Sequence, residues 1–435
     1  MTPEAIGGLG LVLLLILLAL GSPIGPTLVL VGAGGLALLI SPEAALIKSA
    51  VLAFGTISRY ELGVLPLFLL MAHLCFSAGA SRDFFAAASS IVGHRSGGLA
   101  LASIGACAGF GAISGSSLAT AATVGAVALP EMRKNGYSPS LATGALAAGG
   151  TLGSLVPPSG ALIVFGIIAE QSIGKLFVAS IIPAATQVLF YMVAIWVMCR
   201  INPALGPAMA RASWRDRRAA LSRVWDLSLL ILLVIGGLAV GWFTPTEAAS
   251  VGAVGAFALC AWRRTLTVPA IVKALRDTLR TTGMIYIVVI GALIFSAFIS
   301  VSGLTNDISN AVAGLQAGRL AGLCAMALAL LVLGSFLDGM ALMLLTTPVF
   351  LPIAVKLGVS PIWFGIFLVR TMEIGFVHPP VGMNVYVIHG LAKDIPLTTI
   401  FRGIIPFLVT DFLHLALLIA VPSMTLFLPS VLGAA

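Results

Sequence analysis

Apolar stretches long enough to cross a lipid bilayer recur along the whole chain. A spanning helix needs about 20 predominantly apolar residues, and six stretches approach that length. They are residues 6–20, 64–76, 176–197, 227–242, 284–299 and 404–421. Only short polar segments separate them. The pattern therefore predicts a polytopic α-helical membrane protein without an attached soluble catalytic domain.

Composition supports the same class. Hydrophobic residues make up 60% of the chain and charged residues 9%, whereas soluble domains carry about 25% charged residues. The mean hydropathy is +1.14. The formal net charge of +8 is concentrated in short loops, where basic residues orient a membrane protein, so nucleic acid is not an expected partner. No Lys or Arg precedes the first apolar stretch, so we expect a retained first helix rather than a cleaved signal peptide.

Motifs for enzymatic or metal chemistry do not stand out. No HExxH helix, P-loop or dinucleotide fingerprint occurs, and the serine-rich segment at residues 114–117 has no recognisable His and Asp partners for a hydrolase. The cysteines stand singly in apolar sequence, so we expect packing roles rather than redox or metal roles. They are Cys75, Cys107, Cys199, Cys260 and Cys324.

Two proline pairs interrupt apolar stretches and are related by an internal repeat. Pro157 and Pro158 lie in TLGSLVPPSGALIVF, and a second pair follows 222 positions later in EIGFVHPPVGMNVYV. Proline removes a backbone donor and breaks a helix, which a membrane tolerates only where the freed backbone faces protein or a water-filled cavity. The same offset relates Pro23 to Pro245, Leu129 to Leu351, Pro130 to Pro352, Gly136 to Gly358, Ser138 to Ser360, Pro139 to Pro361 and Gly153 to Gly375.

These matches divide the chain into two homologous halves, residues 1–200 and 226–435, joined by a connector at 201–225. The connector region is the most basic part of the chain, so the positive-inside rule places it in the cytoplasm. Its arginines are Arg200, Arg211, Arg215, Arg217, Arg218 and Arg223. Counting crossings outward from it predicts that both termini are periplasmic. An amphipathic segment with Lys273, Arg276 and Arg280 is expected along the cytoplasmic surface, before the crossing at 284–299.

A re-entrant hairpin is predicted before each proline pair. Residues 97–130 are flanked by Arg95 and Arg133, which indicates that both ends face the cytoplasm, and GFGAISGSS in the middle favours a sharp turn. The second hairpin, residues 320–352, carries GSFLDGM with Asp338 at the equivalent position. Broken helices follow at 140–168 and 360–390.

Five crossings per half, an odd number, make the two halves inverted with respect to each other. The predicted fold is thus an all-α polytopic membrane protein with two inverted-topology repeats, each containing a hairpin and a PP-broken helix. Secondary transporters use this plan and bind substrate and ion at mid-membrane between broken helices. Carbonyls at a half-helix C-terminus suit a hard cation such as sodium, and amides at an N-terminus suit an anion.

The motifs GAISGSS, GGTLGSLVPPS, GWFTPTEAASVGA, DGMALMLLTTPVFLP and PPVGMNVYV occur in this order over nearly the full length. In this respect the chain resembles the large membrane subunit of TRAP (tripartite ATP-independent periplasmic) transporters. The resemblance implies an elevator-type transporter of the bacterial inner membrane, surrounded by lipid, that imports a small carboxylate-bearing organic anion with sodium. It also implies two protein partners, a separate small four-helix membrane subunit and a periplasmic substrate-binding protein, and no organic cofactor.

The resemblance further implies two sodium sites. The first would lie between the hairpin tip and the first break, at Ser114, Gly115, Ser116, Ser117, Gly153, Val156 and Ser159. The second would lie at Asp338, Gly339, Gly375, His378 and Val381. The family usually has Thr where this chain has His378, so the second site is either altered or bound through the backbone carbonyl alone.

Several polar residues have both a functional and a structural interpretation. Asp338 is expected near the second ion site, or else caps its hairpin tip. Arg370 is expected to hold the substrate carboxylate, or else pairs with Glu373 at helical spacing. Ser116, Ser117 and Asn384 are candidate substrate contacts.

Three further polar residues are expected to be structural. His73 and His414 are interpreted as hydrogen-bonded packing residues, with a proton relay as the alternative. Glu247 is interpreted as part of a helix N-terminus, where a carboxylate suits the helix dipole.

The predicted function is sodium-coupled import of an organic anion that a binding protein delivers. The alternative within transport is a stand-alone anion carrier of similar architecture. An intramembrane enzyme and a channel are disfavoured, because few carboxylates lie in the spans and two closed hairpin tips imply alternating gates.

Overall fold

The computed structural model describes residues 2–304, 318–335, 337 and 339–432. All regular secondary structure within these residues is helical, which confirms the all-α prediction. Asp338, predicted at the tip of the second hairpin, lies outside the described residues.

Ten α-helices form the first half of the chain. They are α1 Pro3–Ala19, α2 Ile24–Leu39, α3 Pro42–Ile57, α4 Val64–Ser77, α5 Ala80–Val92, α6 Gly98–Ser114, α7 Ser117–Lys134, α8 Pro139–Leu155, α9 Gly160–Ile168 and α10 Ile173–Ile201. Short 3₁₀ turns at Tyr60–Gly63 and Pro203–Leu205 precede α4 and follow α10.

The described part of the remaining chain contains ten more α-helices. They are α11 Trp214–Leu221, α12 Trp225–Ala239, α13 Pro245–Trp262, α14 Val268–Ser302, α15 Arg319–Gly334, α16 Gly339–Lys356, α17 Pro361–Gly375, α18 Met383–Leu391, α19 Leu397–Ala420 and α20 Ser423–Val431. The connector is thus partly helical, since α11 lies within it.

Helix bounds in the second half follow those in the first with the same spacing as the proline pairs. The bounds of α7 shifted by 222 positions coincide with those of α16, and α8 and α17 begin at Pro139 and Pro361 in the same register. Both α8 and α17 begin with proline at the first helical position, where its fixed φ suits a helix and its missing N–H is not needed.

Five of the described helical segments are long and apolar enough to cross a membrane, and seven if two bent helix pairs each count as one span. The five lie at Tyr60–Ser77, Ile173–Ile201, Val268–Ser302, Gly339–Lys356 and Leu397–Ala420. One bent pair is α8 with α9, which meet at 41° across the first proline pair. The structure therefore has the apolar helices of a multi-pass membrane protein.

Two predicted boundaries differ from the structure. The second arms of the hairpins were expected to end at Pro130 and Pro352, but α7 and α16 continue to Lys134 and Lys356. A proline inside a helix removes one hydrogen bond and kinks the helix without always ending it.

The amphipathic surface segment and the following crossing are one helix rather than two. The structure has a continuous α14 over Val268–Ser302, which at 1.5 Å per residue is about 52 Å long. After Pro269 in its first turn no further proline interrupts it, and α2 packs closely along it: a Cβ on Gly32 would lie 2.7 Å from the Phe295 backbone nitrogen. Small residues allow this kind of close approach between membrane helices.

The helices that end at the two breaks form the centre of the molecule. Every residue of α8 from Leu141 to Leu155, and every residue of α17 from Trp363 to Gly375, is buried. A helix that is apolar around its whole circumference belongs inside a larger protein. Helices α6, α7 and α19 pack against α8, and α15, α16 and α10 pack against α17.

Glu247 caps the start of α13, in agreement with the structural role predicted for it. The Thr244 hydroxyl accepts from the Glu247 backbone, and the Glu247 carboxylate accepts from the Thr244 backbone N–H at 2.8 Å. This reciprocal pair is a capping box, which satisfies two backbone donors at the helix start. Glu247 therefore has the structural role that the sequence indicated.

An ion-pair cluster ties together the opposite end of α13, α12 and α5. Arg263, just after α13, donates to Asp226 Oδ1 at 2.6 Å and to Asp83 Oδ2 at 2.5 Å. It also donates to the backbone carbonyls of Ala78 and Arg223. The Arg263 side chain is only 15% exposed, so water replaces few of these bonds.

We predict that Arg263→Gln destabilises the fold by about 1–3 kcal/mol, because it leaves two largely buried carboxylates without their charged donor. The measurement is the thermal unfolding midpoint in detergent. Arg276→Gln is the matched control, since Arg276 is exposed on α14. Equal midpoints for the two variants would contradict the structural role of the cluster.

Candidate functional site

The first hairpin turns within two residues, Gly115 and Ser116, between α6 and α7. Gly115 adopts a left-handed backbone with φ of +58°, and Ser116 is extended and caps α7 by accepting from the Ala119 N–H at 3.4 Å. A Cβ on Gly115 would lie 2.8 Å from the Pro158 carbonyl oxygen. Both the positive φ and this close approach require glycine.

Hydroxyl groups converge inside this tip. The Ser114 hydroxyl lies 2.7 Å from the Thr120 hydroxyl, and Thr120 donates to the Ser116 carbonyl at 2.8 Å. The Ser117 hydroxyl donates to the Gly150 carbonyl of α8 at 3.1 Å. The tip is therefore rich in oxygen atoms and bonded to the helix that leads into the first break.

The first break follows directly from the proline pair. Helix α8 ends at Leu155, Val156 is extended with ψ of 123°, and the Pro157–Pro158 bond is cis. Because Pro157 has no N–H, the Gly153 carbonyl lacks its helical donor. Ser159 restarts the helix: its hydroxyl accepts from the Leu162 N–H at 3.2 Å and donates to the Ser154 carbonyl.

Tip and break lie against each other. The Gly160 N–H donates to the Gly115 carbonyl at 3.1 Å, and a Cβ on Gly111 would lie 3.0 Å from the Gly153 Cα. A Cβ on Gly153 would collide with the Ser116 carbonyl and the Thr120 hydroxyl. The structure thus brings the predicted tip residues, Ser114–Ser117, to the predicted break residues Gly153 and Ser159, with Val156 in the break itself.

The second break has the same proline pair and helix end as the first, but its prolines are exposed. Helix α17 ends at Gly375, the Pro379–Pro380 bond is cis, and Gly382 has φ of +62° before α18 begins. Since Pro379 has no N–H, the Gly375 carbonyl also lacks its helical donor. Pro379 and Pro380 are exposed, whereas Pro157 and Pro158 are buried. Val381 is half-buried in the break.

The described part of the second hairpin also approaches its break. A Cβ on Gly375 would lie 3.1 Å from the Gly334 carbonyl oxygen at the end of α15. Gly339, the first residue of α16, packs against Met372, whose Sδ would lie 2.7 Å from an added Cβ. Gly339 and Gly375 are therefore both close-packed at the contact between the hairpin and α17.

A cavity of about 90 Å³ lies between the two hairpins, beside the ends of α8 and α17. Its volume corresponds to a few water-sized groups. Residues of the first tip, the first break, the start of α16 and the end of α17 line it: Gly115, Ser116, Ser117, Leu118, Ser154, Ala161, Gly339, Met340, Met372 and Phe376. The two halves of the chain thus share one small central space.

A larger cavity of about 360 Å³ reaches the first tip from another side. Ser114 and Ser116 line it together with His73, Lys273 and Asp277. The Nε2 atom of His73 is buried and has no hydrogen-bond partner among the described residues. The tip is therefore accessible from a space that carries both a cation and a carboxylate.

His378, the position that departs from the family pattern, takes part through its backbone and its ring edge. Its N–H donates to the Ile374 carbonyl at 2.9 Å. The ring packs edge-on against Phe412 with centroids 6.4 Å apart, and Nδ1 is buried without a partner in the described part of the chain.

Asn384 links the two halves. It is fully buried, and its Nδ2 donates to the Ala147 carbonyl at 3.0 Å and to the Ser117 hydroxyl at 3.4 Å. Its Oδ1 has no partner within the described residues. The predicted contacts Asn384 and Ser117 are therefore neighbours, although Asn384 does not line the 90 Å³ cavity.

Arg370 lies in a buried cluster of polar side chains rather than on the cavity wall. It is fully buried and donates to Asp411 Oδ1 at 2.5 Å, to Glu373 Oε2 at 3.3 Å and to His414 Nδ1 at 3.2 Å. The Glu373 pair predicted from helical spacing is present, but Asp411 is the closer partner. Contact with a substrate would require the guanidinium to leave these groups.

Three further residues of this cluster, Asp411, Gln187 and Tyr191, were not predicted from the sequence. Asp411 Oδ1 accepts from Gln187 Nε2 at 2.8 Å and from the Tyr191 hydroxyl at 2.7 Å. The signal for Asp411 was present, because an isolated acid in an apolar span is costly and calls for a partner. His414 has the packing role predicted for it, with Nε2 2.9 Å from the Thr186 hydroxyl.

Side-chain metal clusters are absent from the described residues: no group of three or more His, Cys, Asp or Glu could hold a metal ion. Oxygen atoms at the first tip and the first break come instead from backbone carbonyls and from serine and threonine hydroxyls. Such a donor set suits a hard cation better than a soft transition metal.

Similarity to known proteins identifies the family of this chain. The family model described as "Tripartite ATP-independent periplasmic transporter, DctM component" matches residues 11–424. The C4-dicarboxylate TRAP transporter large permease protein DctM of Pseudomonas aeruginosa is 36% identical over 399 residues, 91% of this chain and 92% of that protein. The sialic acid TRAP transporter large permease protein SiaM of Vibrio cholerae is 34% identical over 415 residues, 95% and 96% of the two chains.

A solved structure supports the architecture. The Alcanivorax borkumensis YdaH transporter superposes with a TM-score of 0.60 at 16% identity, covering 97% of this chain and 98% of that one. At this identity the likeness concerns the fold alone. The family match and the relatives cover nearly the whole chain and confirm the resemblance seen in its motifs: the chain belongs to the TRAP transporter DctM family, a multi-pass transporter permease and not an enzyme.

Proposed function

We propose that this chain imports a small carboxylate-bearing organic anion together with sodium across the bacterial inner membrane. The anion is delivered by a periplasmic substrate-binding protein, and a small four-helix membrane subunit completes the system. The relatives named for C4-dicarboxylates and sialic acid support an anionic, carboxylate-bearing cargo. Sodium is the coupling ion, and no organic cofactor takes part.

The observation that carries this proposal is the pairing of each helix break with a hairpin around one central cavity. At each break a proline leaves a glycine carbonyl, Gly153 or Gly375, without its helical donor. Carbonyl oxygens at a half-helix C-terminus are coupling-ion ligands in secondary transporters. The first sodium therefore binds between Ser114–Ser117 and Gly153, Val156 and Ser159.

The second sodium binds between Asp338, Gly339, Gly375, His378 and Val381. His378 contributes through its carbonyl, because imidazole nitrogen is a poor ligand for a hard monovalent cation. Its ring packs against Phe412 and does not need to face the ion.

The anion binds beside the first tip. The Ser116 hydroxyl donates to its carboxylate, and the Ser117 hydroxyl does so after turning away from the Gly150 carbonyl that it bonds in this structure. Ser116 also lines the 360 Å³ cavity with Lys273 and Asp277, so the space beside the tip carries one charge of each sign. Asn384 positions Ser117 through its amide. Arg370 holds the end of α17 in place, since its donors are occupied by Asp411, Glu373 and His414.

Transport proceeds by an elevator motion of inverted repeats. The recurrence of helix bounds at the 222-residue spacing supports two homologous halves, 1–200 and 226–435. With the basic connector 201–225 in the cytoplasm, both termini are periplasmic. The two hairpins then face opposite sides of the membrane and serve as alternating gates.

We predict that Ser116→Ala raises the sodium concentration for half-maximal uptake about fivefold, since one interaction worth about 1 kcal/mol is lost. Uptake of radiolabelled anion into proteoliposomes at varied sodium measures this. Asp338→Ala is expected to have a similar effect through the second site.

The matched control for Ser116→Ala is Ser41→Ala. Ser41 caps α3 in the same way, accepting from the Ala44 N–H at 3.2 Å, so both variants lose a cap. Unchanged sodium dependence in both Ser116→Ala and Asp338→Ala would refute the assigned sites.

A second prediction tests the contact between tip and break. Gly153→Ala is expected to reduce uptake at least tenfold, because the new methyl group collides with the Ser116 carbonyl and the Thr120 hydroxyl and forces the tip away from the break. Gly236→Ala on α12 is the control, since nothing lies within 4 Å of an added Cβ there. Equal uptake by the two variants would show that the contact is dispensable.

The requirement for partners separates this proposal from a stand-alone carrier. Sodium-driven uptake should require the small subunit and the binding protein in the same proteoliposomes. Full uptake by this chain alone would contradict the tripartite assignment and favour the stand-alone carrier.

A further inference from the structure

A continuous series of side-chain hydrogen bonds runs through the protein from the first break to the second. It starts at Thr151 on α8, whose hydroxyl lies 3.0 Å from the Tyr191 hydroxyl of α10. Tyr191 donates to Asp411 Oδ1 of α19 at 2.7 Å. Arg370 Nη2 of α17 donates to the same oxygen at 2.5 Å, and Arg370 Nη1 reaches Glu373 Oε2 at 3.3 Å.

The two ends of this series occupy equivalent positions. Thr151 stands two residues before Gly153, and Glu373 stands two residues before Gly375. The spacing of 222 positions that relates the two glycines therefore relates the two end residues as well. The series joins the last two turns of α8 to the last turn of α17.

All five side chains are fully buried. Thr151, Tyr191, Arg370, Glu373 and Asp411 each have 0% exposed surface. Water cannot replace a lost partner at such a site, so a change in one hydrogen bond changes the strength of the adjacent ones. A shift of one helix end therefore alters the bonds along the series, and solvent does not compensate for it.

One link in the series has two arrangements. Paired with Arg370, the Asp411 carboxylate can only accept, so the Tyr191 proton points to Asp411 and its oxygen is left to accept from Thr151. The Thr151 hydroxyl has one proton and two acceptors, the Tyr191 oxygen and the Ala148 carbonyl at 2.6 Å. Rotation of a single hydroxyl therefore makes or breaks the connection.

We infer that this series, which we call the Thr151–Glu373 relay, couples the two ion sites so that sodium at one raises the affinity of the other. Tyr191 and Asp411 are its positioning residues, because they belong to neither assigned ion site and bond to Thr151 on α8 and Arg370 on α17. The inference rests on the sodium sites proposed above. A discrete two-state link between the sites is the physical requirement for such coupling.

Tyr191→Phe tests the relay by removing one oxygen atom. The ring remains, including its edge-on packing against Phe407 at 5.6 Å. We expect the Hill coefficient for sodium to fall from about 2 toward about 1, and half-saturating sodium to rise at least fivefold, the lower end of typical coupling factors. Maximal uptake at saturating sodium should stay within about twofold of the unmodified protein.

Tyr286→Phe is the matched control. The Tyr286 hydroxyl donates to the Leu62 carbonyl at 2.9 Å, so this variant also loses a tyrosine hydrogen bond but leaves the relay intact. A second pair, Thr151→Val and Thr151→Ser, removes or keeps the hydroxyl at the relay's first residue. Thr151→Val should reproduce Tyr191→Phe, and Thr151→Ser should restore the sodium response.

Each outcome decides the inference. Unchanged Hill coefficients in Tyr191→Phe and Thr151→Val, while the unmodified protein responds steeply to sodium, overturn the relay and leave the proposed function intact. If uptake by the unmodified complex does not depend on sodium, both the relay and the proposed function are wrong. If Tyr191→Phe fails to insert, the two Thr151 variants alone decide by the same measurements.

Discussion

The structure depends on the need of every backbone polar group inside a membrane to find a partner within the protein. Two proline pairs withdraw donors in the middle of otherwise helical segments, and the Gly153 and Gly375 carbonyls lose their helical partners. Both glycines are buried within the protein, although only the first proline pair is buried with them. A hairpin folds against each break, and the Gly160 N–H donates back to the Gly115 carbonyl at the first tip.

Close packing of hairpin and break depends on residues without side chains. Gly111, Gly153 and Gly375 let backbone approach backbone where any Cβ would meet a neighbouring main chain. The result is a close contact between hairpin and helix in each half, and a cavity of about 90 Å³ lies between the two hairpins. Its volume corresponds to a few water-sized groups, and the serines of the first tip line it.

The buried charges around Arg370 serve a different purpose from the oxygen-rich tips. An ion pair withdrawn from water costs several kcal/mol per ion unless its remaining hydrogen bonds are satisfied. Here Asp411 accepts from Arg370, Gln187 and Tyr191 on a single oxygen, which holds α17, α19 and α10 together. Its other oxygen and Glu373 Oε1 are buried without a partner among the described residues. The charges therefore fix the position of the helix that ends at the second break. The two halves are not equivalent in this respect, since α8 meets the same cluster only through a hydroxyl.

The sequence by itself determined the membrane class, the two-fold spacing, the positions of both breaks and the hairpin preceding the first break. Hydrophobic length and proline are local signals, and they act the same way wherever the chain goes. The pairing of Arg370 with Glu373 could be predicted from helical spacing.

Only the tertiary structure decided that Asp411, 41 residues further on, is the closer partner, and that Arg370 is enclosed rather than open to the cavity. The continuity of α14 and the contact of both tips with one cavity were equally beyond the sequence. Each of these features depends on which distant helices pack side by side. Apolar helices of similar hydrophobicity carry no sequence signal for which of them pack together.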